Sequence, residues 1–92
     1  MLTLTTTAKF RKDYKRIKKQ GLTVSELKDV INMLLQEIPL SDKYHDHALT
    51  GNFKGFRECH IQPDWLLLYY IDHDKLVLTV VRTGSHSALF DL

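Results

Sequence analysis

Leu2 and Leu4 alternate with Thr3 and Thr5, the period-two pattern of a short strand. The period then changes. Phe10, Tyr14 and Ile17 recur at spacings of four and three with basic residues between them. That pattern predicts an amphipathic helix from about Thr7 to Gln20, closed by Gly21. Thr23 with Glu26 three residues on has the form of a capping box. From there Leu27, Val30, Ile31, Leu34, Leu35 and Ile38 continue a second apolar stripe, which Pro39 stops. The short Gly21-Leu22 joint makes the two helices a hairpin. Residues 39–55 are polar and without period, and read as a long loop of the kind that is functional or mobile. Strand patterns return at Phe56–Ile61, Trp65–Ile71 and Leu76–Arg82, joined by Gln62-Pro63-Asp64 and Asp72-His73-Asp74-Lys75. The tail runs from Thr83 to Leu92. The order is one strand, a helical hairpin and three antiparallel strands. This is an α+β arrangement, with the helices packed on one face of the sheet.

Composition sets the scale. Ninety-two residues, 43% hydrophobic and 26% charged, fit one globular domain spanning residues 1–92. They exclude a disordered chain, a collagen-like chain and a disulfide scaffold. The single cysteine, Cys59, cannot form an internal bridge, which fits a reducing cytoplasm. The longest apolar run, Trp65 to Ile71, is seven residues, against the roughly 20 needed to cross a bilayer. The N-terminus has no positive-then-apolar signal pattern.

Charge changes the picture more. Net charge is only +2, but residues 1–20 hold Lys9, Arg11, Lys12, Lys15, Arg16, Lys18 and Lys19 against one acid, Asp13, for +6. The other 72 residues hold six bases and ten acids, for −4. A basic block on a near-neutral whole points to a nucleic-acid-facing patch; its bland alternative is a solvated helix face.

Strand pairing turns spacing into a candidate site. Placing Ile71 opposite Leu76 puts Trp65 opposite Arg82, and placing Ile61 opposite Asp64 puts His60 opposite Trp65. His60, Trp65 and Arg82 then form one row, with opposed Cβ atoms about 5 Å apart. Asp64 starts that row, and His86 bends back through Thr83-Gly84. A one-residue slip would exchange the faces. Cys59 points away from His60 in an alternating strand. Two histidines, an aspartate and an arginine suit phosphoryl chemistry: imidazole carries protons near neutral pH, and a guanidinium grips phosphate oxygens. Trp65 and Phe90 are candidates to stack an unpaired base. No nucleophile elbow, Walker loop or dinucleotide fingerprint is present. These groups suffice for RNA cleavage by the neighbouring 2′-hydroxyl, with no cofactor and no metal. His45, His47, His60, His86 and Asp64 are all admissible zinc ligands, but they lack a metal-site spacing.

Asp46-His47-Ala48-Leu49-Thr50-Gly51, Gly55 through Trp65, and Arg82-Thr83-Gly84-Ser85-His86-Ser87-Ala88-Leu89-Phe90 resemble the YafQ branch of the RelE/ParE toxin superfamily. The resemblance implies a RelE-like fold and the toxin of a bacterial type II toxin–antitoxin system. Such a toxin acts in the cytoplasm. It enters the ribosomal A site and cuts mRNA, leaving a 2′,3′-cyclic phosphate and a 5′-hydroxyl. It further implies a cognate antitoxin as partner, a monomeric free toxin and a heterotetrameric complex. By position, His47, His60, Asp64 and His86 match the catalytic residues, with His86 as general acid and Asp64 or His60 as base. Arg82 matches the phosphate-contacting arginine, Trp65 and Phe90 the wall that meets the mRNA base, and the basic helix a contact to 16S ribosomal RNA. The broader RelE pattern uses lysine, arginine and tyrosine where histidine and aspartate stand here. The competing expectation is a ParE-like inhibitor that binds a protein such as gyrase and cleaves nothing; fold alone does not separate the two.

Overall fold

In a computed structural model, which describes residues 1–90, five strands form one sheet in the order β1-β5-β4-β3-β2. The strands are β1 (Thr3–Thr6), β2 (His47–Ala48), β3 (Arg57–Gln62), β4 (Trp65–Asp72) and β5 (Val77–Gly84). The helices are α1 (Ala8–Lys19), α2 (Val24–Leu35) and α3 (His86–Phe90). β1 joins β5 in parallel and every other pair is antiparallel. Asp91 and Leu92, part of the predicted tail, lie outside the described residues. No helix among the described residues is long and apolar enough to cross a membrane.

α1 forms where the 3.6 period places it. Thr7 caps it, its Oγ1 accepting from the Phe10 N–H at 3.0 Å and donating to the Val81 carbonyl at 2.6 Å. At the other end Gly21 takes a left-handed φ of +80°, and the N–H groups of Gly21 and Leu22 return to the Lys18 and Ile17 carbonyls. α2 differs from its sequence pattern at both ends. The Thr23 side chain makes no cap bond, and the Glu26 carboxylate instead accepts from Gln62 on β3 at 2.7 Å. The helix stops at Leu35, three residues before Ile38. Glu37 turns left-handed (φ +57°), and the Glu37 and Ile38 N–H groups return to the Leu34 and Met33 carbonyls. This hydrogen-bonded C-cap ends the helix before Pro39 can.

Phe10, Ile17, Leu27, Val30 and Leu34 from the helical hairpin meet Cys59, Trp65, Leu67, Tyr69, Leu78 and Val80 from one sheet face, all buried. The opposite face carries a smaller cluster, Leu66, Leu68 and Leu89, capped by α3. The hairpin thus covers one face as expected, while α3, which the sequence pattern left as tail, covers part of the other. The stretch 39–55 also contains more order than its pattern shows: two single 3₁₀ turns and β2.

Register departs from the sequence expectation. His60 lies opposite Leu66, not Trp65, and Arg82 lies opposite Leu68, not Trp65. The cause is loop geometry. Pro63-Asp64 is a two-residue turn between Gln62 and Trp65, and β3 bulges between His60 and Gln62. In the other hairpin Asp72 still pairs with Val77, and the Asp72 carboxylate closes the loop by accepting from the Asp74 and Lys75 N–H groups. β5 then bulges at Val81, between Val80 and Arg82. The predicted His60–Trp65–Arg82 row is therefore replaced by His60–Leu66–Gly84 and Glu58–Leu68–Arg82. Trp65 sits on the helix face, 3% exposed, its indole N–H donating to Thr83 Oγ1 at 2.9 Å. It is a core residue and has no face open to a base, which corrects the expectation placed on it.

One ion cluster locks α1 to β5. Asp13, 1% exposed, accepts a two-pronged pair of bonds from Arg82 (Nε and Nη2, both 2.9 Å), one from Arg16 at 2.8 Å and one from the Thr83 N–H at 3.2 Å. Arg16 also donates to the Thr83 carbonyl at 3.1 Å. Gly84 makes room for it: a Cβ there would stand 2.6 Å from Arg16 Nη2. Burial pushes the Asp13 carboxyl up, but the bonds from Arg82, Arg16 and Thr83 outweigh it and hold the group below the ordinary carboxylate range.

Two outcomes follow. Because the folded value is depressed, Asp13's contribution is complete above the ordinary aspartate value near 3.9 and is lost as pH falls through the lower folded value. Asp13→Asn should cost about 2–4 kcal/mol at neutral pH, through lost bonds to charged donors. It should also flatten the acid limb of a urea-midpoint-against-pH curve; an unchanged acid limb would contradict the assignment. Trp65 emission should be blue-shifted, resistant to iodide and unchanged by added RNA. Strong quenching by either would contradict its burial.

Candidate active site

The bulge and tight turn at the end of β3 and β4 present His60 and Asp64 at one end of the sheet. Directly beyond β5, Ser85 caps α3, its Oγ accepting from the Ala88 N–H at 3.2 Å. The chain turn at Gly84 delivers His86 to Asp64. One Asp64 oxygen accepts both the His86 N–H (3.0 Å) and His86 Nδ1 (2.8 Å). Those two bonds, backbone first, hold the exposed Asp64 carboxyl below its ordinary range. An ionised carboxylate only accepts, so Nδ1 of His86 carries the proton in this pair.

His60 stands at the centre. Its ring lies 5.7 Å from that of His86, 6.4 Å from that of His47 and 5.5 Å from that of His45. Its Nε2 donates to Glu58 Oε1 at 3.0 Å, and the same oxygen lies 3.8 Å from His47 Nε2. Glu58 is 5% exposed, so its carboxylate acts from beneath the imidazoles. The bond fixes the proton on Nε2 of His60 and leaves Nδ1 as acceptor. His47 comes from β2, opposite Glu58, and its Nδ1 meets the His45 carbonyl at 2.6 Å. Phe90 closes one side, its ring 6.4 Å from His86 and edge-on to Phe53 at 5.0 Å. An open groove of about 970 Å³ leads from His45, His47 and His60 past Lys43 and Tyr44 to Glu26 and Asp29 on α2.

Of the residues singled out in sequence, His47, His60, Asp64, His86 and Phe90 are brought together. Trp65 is withdrawn into the core. Arg82 shares a sheet row with Glu58, Leu68 standing between them, and its guanidinium is gripped by Asp13. In the basic helix, Lys9, Arg11, Lys12, Lys15, Lys18 and Lys19 are exposed, whereas Arg16 is committed to Asp13 and Thr83. Two residues, Glu58 and Phe53, were missed in sequence, and His45 was weighed there only as a metal ligand. Glu58 alternates with His60 and so shares its face, a signal the strand period carried. His45 and Phe53 lie in the aperiodic stretch, where no local signal places them. Cys59 points away from His60, as its alternation required, and burial pushes its thiol up to about 12.

The Glu58, His60 and His86 ligand atoms lie within 4.8 Å of one another, a donor set able to hold a metal ion. Linear spacing did not show it, because His86, at the start of α3, meets Glu58 and His60 of β3 only in the folded chain.

Known proteins carry the same architecture. The family described as "Bacterial toxin of type II toxin-antitoxin system, YafQ" matches residues 2–91. The mRNA interferase toxin YafQ of Escherichia coli K12 is 42% identical over 82 residues, 88% of this chain and 87% of that protein. A metal-bound toxin from Helicobacter pylori superposes with a TM-score of 0.92 at 49% identity, covering 98% of this chain and all of that one. YafQ in the E. coli DinJ–YafQ complex superposes with a TM-score of 0.88 at 36% identity, over 98% and 99% of the two chains. The chain therefore belongs to the YafQ family of bacterial type II toxin–antitoxin toxins.

Proposed function

We propose that the chain is an mRNA interferase, a toxin that cleaves mRNA in the ribosomal A site and is neutralised by a cognate antitoxin. One observation carries this reading: imidazoles His47, His60 and His86 converge at one sheet end, each backed by a carboxylate or carbonyl that fixes its proton. Family membership supports it, since the E. coli relative is an mRNA interferase and another E. coli structure is a toxin–antitoxin complex. A gyrase inhibitor of the ParE kind would have no use for this cluster.

The chemistry follows from the proton positions. Asp64 is occupied by His86, so His60 Nδ1 is the base that removes the 2′-hydroxyl proton. The 2′-oxygen attacks phosphorus, the bond to the 5′-oxygen breaks, and His86, entering the step as an imidazolium whose Nδ1–H is held by Asp64, delivers its Nε2 proton to that oxygen. A 2′,3′-cyclic phosphate and a 5′-hydroxyl result. The His60 and His86 rings stand edge to face with centroids 5.7 Å apart, close enough for one phosphate to reach both. His47 and Arg82 steady the charge of the phosphorane, and Phe90 offers a face to a base. The exposed lysines of α1 meet ribosomal RNA. A free monomer of one domain, a heterotetrameric antitoxin complex and a cytoplasmic site of action complete the proposal. The reaction uses only groups of the chain, and the Glu58–His60–His86 set is where an added transition metal would compete with RNA.

Ribosomes programmed with a defined mRNA test this. Wild type should give discrete A-site cuts that survive EDTA and fade on adding Zn²⁺. His86→Gln should lower cleavage at least 10²-fold with folding and antitoxin binding intact. EDTA-sensitive cutting, or full activity of a folded His86→Gln, would overturn the mechanism; growth arrest without cuts would send the search to a protein target. On α1, Lys12→Ala with Lys15→Ala should weaken ribosome association and flatten its salt dependence by up to about 0.7–0.9 per lost phosphate contact. The melting temperature should not change. Arg16→Ala should instead lower the melting temperature.

A further inference from the structure

We infer that Asp46 is a positioning residue, whose carboxylate, held by Tyr69 and Arg57, clamps segment 45–47 to the sheet and sets His47 against His60 and Glu58. The inference rests on the reading of His47 as part of the cleavage site.

The segment needs holding. It arrives from a single 3₁₀ turn, Asp42–Tyr44, and β2 gives it only two ladder pairs, His47 with Glu58 and Ala48 with Arg57. Just before β2, His45 sits at φ +47°, a left-handed backbone that costs a non-glycine residue on the order of 1 kcal/mol or more and persists only when its surroundings enforce it. Asp46 supplies the enforcement. Its Oδ1 accepts from the Tyr69 hydroxyl at 2.5 Å and its Oδ2 pairs with Arg57 Nη2 at 3.2 Å. Arg57 Nε closes the triangle on Tyr69 Oη at 3.3 Å. Tyr69 is 1% exposed in the central strand, a rigid anchor. Burial and the Asp46 carboxylate push its phenol up, so it donates throughout the working pH range.

The division of directions matters. Asp46 is turned toward Tyr69 of the helix-side core, while the rings of its neighbours His45 and His47 lie 5.5 and 6.4 Å from the His60 ring. The His45 carbonyl that meets His47 Nδ1 is fixed by the same clamp. Asp46 touches no reacting atom; it acts through His47. A displacement of His47 of about 1 Å is enough to cost up to 10²-fold in rate.

Two readouts test the clamp. The first is amide exchange. The Leu49 N–H, bonded to the Phe56 carbonyl at 2.9 Å, and the amides of β2 should exchange at least tenfold faster in Asp46→Ala, while amides of β4 keep their protection. Unchanged exchange at β2 and Leu49 would overturn the clamp whatever His47 does. The second is a double-mutant cycle on ribosome-programmed mRNA. Asp46→Ala should lower kcat tenfold or more, Asp46→Asn should recover most of it by keeping an acceptor for Tyr69, and Asp46→Ala combined with His47→Ala should be no slower than His47→Ala alone. Losses that multiply would overturn action through His47. If His47→Ala alone cleaves as wild type, the role proposed for His47 falls, and the exchange result still decides the clamp. Tyr69→Phe keeps the core ring and removes only the donor; it should reproduce both effects, and it carries the test should Asp46→Ala not fold.

Discussion

The architecture hangs on the buried Asp13 carboxylate. The apolar contacts of the helical hairpin with the sheet are non-directional, but those of Asp13 are not. It is shut from water and must find its donors in fixed places: both prongs of Arg82, one nitrogen of Arg16 and the Thr83 N–H. That requirement sets α1 at one height and angle against the end of β5. Thr83 spreads the constraint further. Its hydroxyl accepts from Trp65 and donates to the Leu66 carbonyl at 2.8 Å, tying β5 to the start of β4. Asp64 precedes Trp65 and His86 follows Thr83 by three residues, so the same node fixes the two strand ends whose side chains meet in the site.

The candidate site applies a second rule, that three of its imidazoles, His47, His60 and His86, have one nitrogen committed. Glu58 takes Nε2 of His60, Asp64 takes Nδ1 of His86 and the His45 carbonyl takes Nδ1 of His47. The opposite nitrogen of His47 lies 3.8 Å from the same Glu58 oxygen that holds His60. Glu58 is buried and Asp64 is exposed, so the two carboxylates differ in what they can exchange with solvent and substrate. The basic helix divides its charges: Arg16, nearest the node, serves the fold, while its lysines are exposed.

Much of the fold was legible in the chain. The change from period two to 3.6 and back located β1, α1, α2 and the three long strands to within a few residues, because periodicity reports which side of an element is apolar. Thr7, Gly21 and Pro63-Asp64 punctuated it correctly because cap and turn preferences are local. His60, His86 and Asp64 were found together because they lie next to turns, where a register error moves a residue sideways but not to the other end of the sheet. Trp65 was misplaced for the complementary reason: within a strand a slip of one residue changes the face.

The sequence by itself determined the elements, their apolar faces, the lysine concentration on one helix and the end of the sheet at which the histidines gather. Each is a property of neighbours along the chain. Only the tertiary structure decided the bulges at Ile61 and Val81, the retreat of Trp65 into the core, the capture of Arg82 and Arg16 by Asp13, and the convergence of Glu58 and His45 on His60. These depend on contacts between residues far apart in sequence, whose partners are chosen by packing and by the need of every buried polar group for a hydrogen bond. Local periodicity holds no record of that choice.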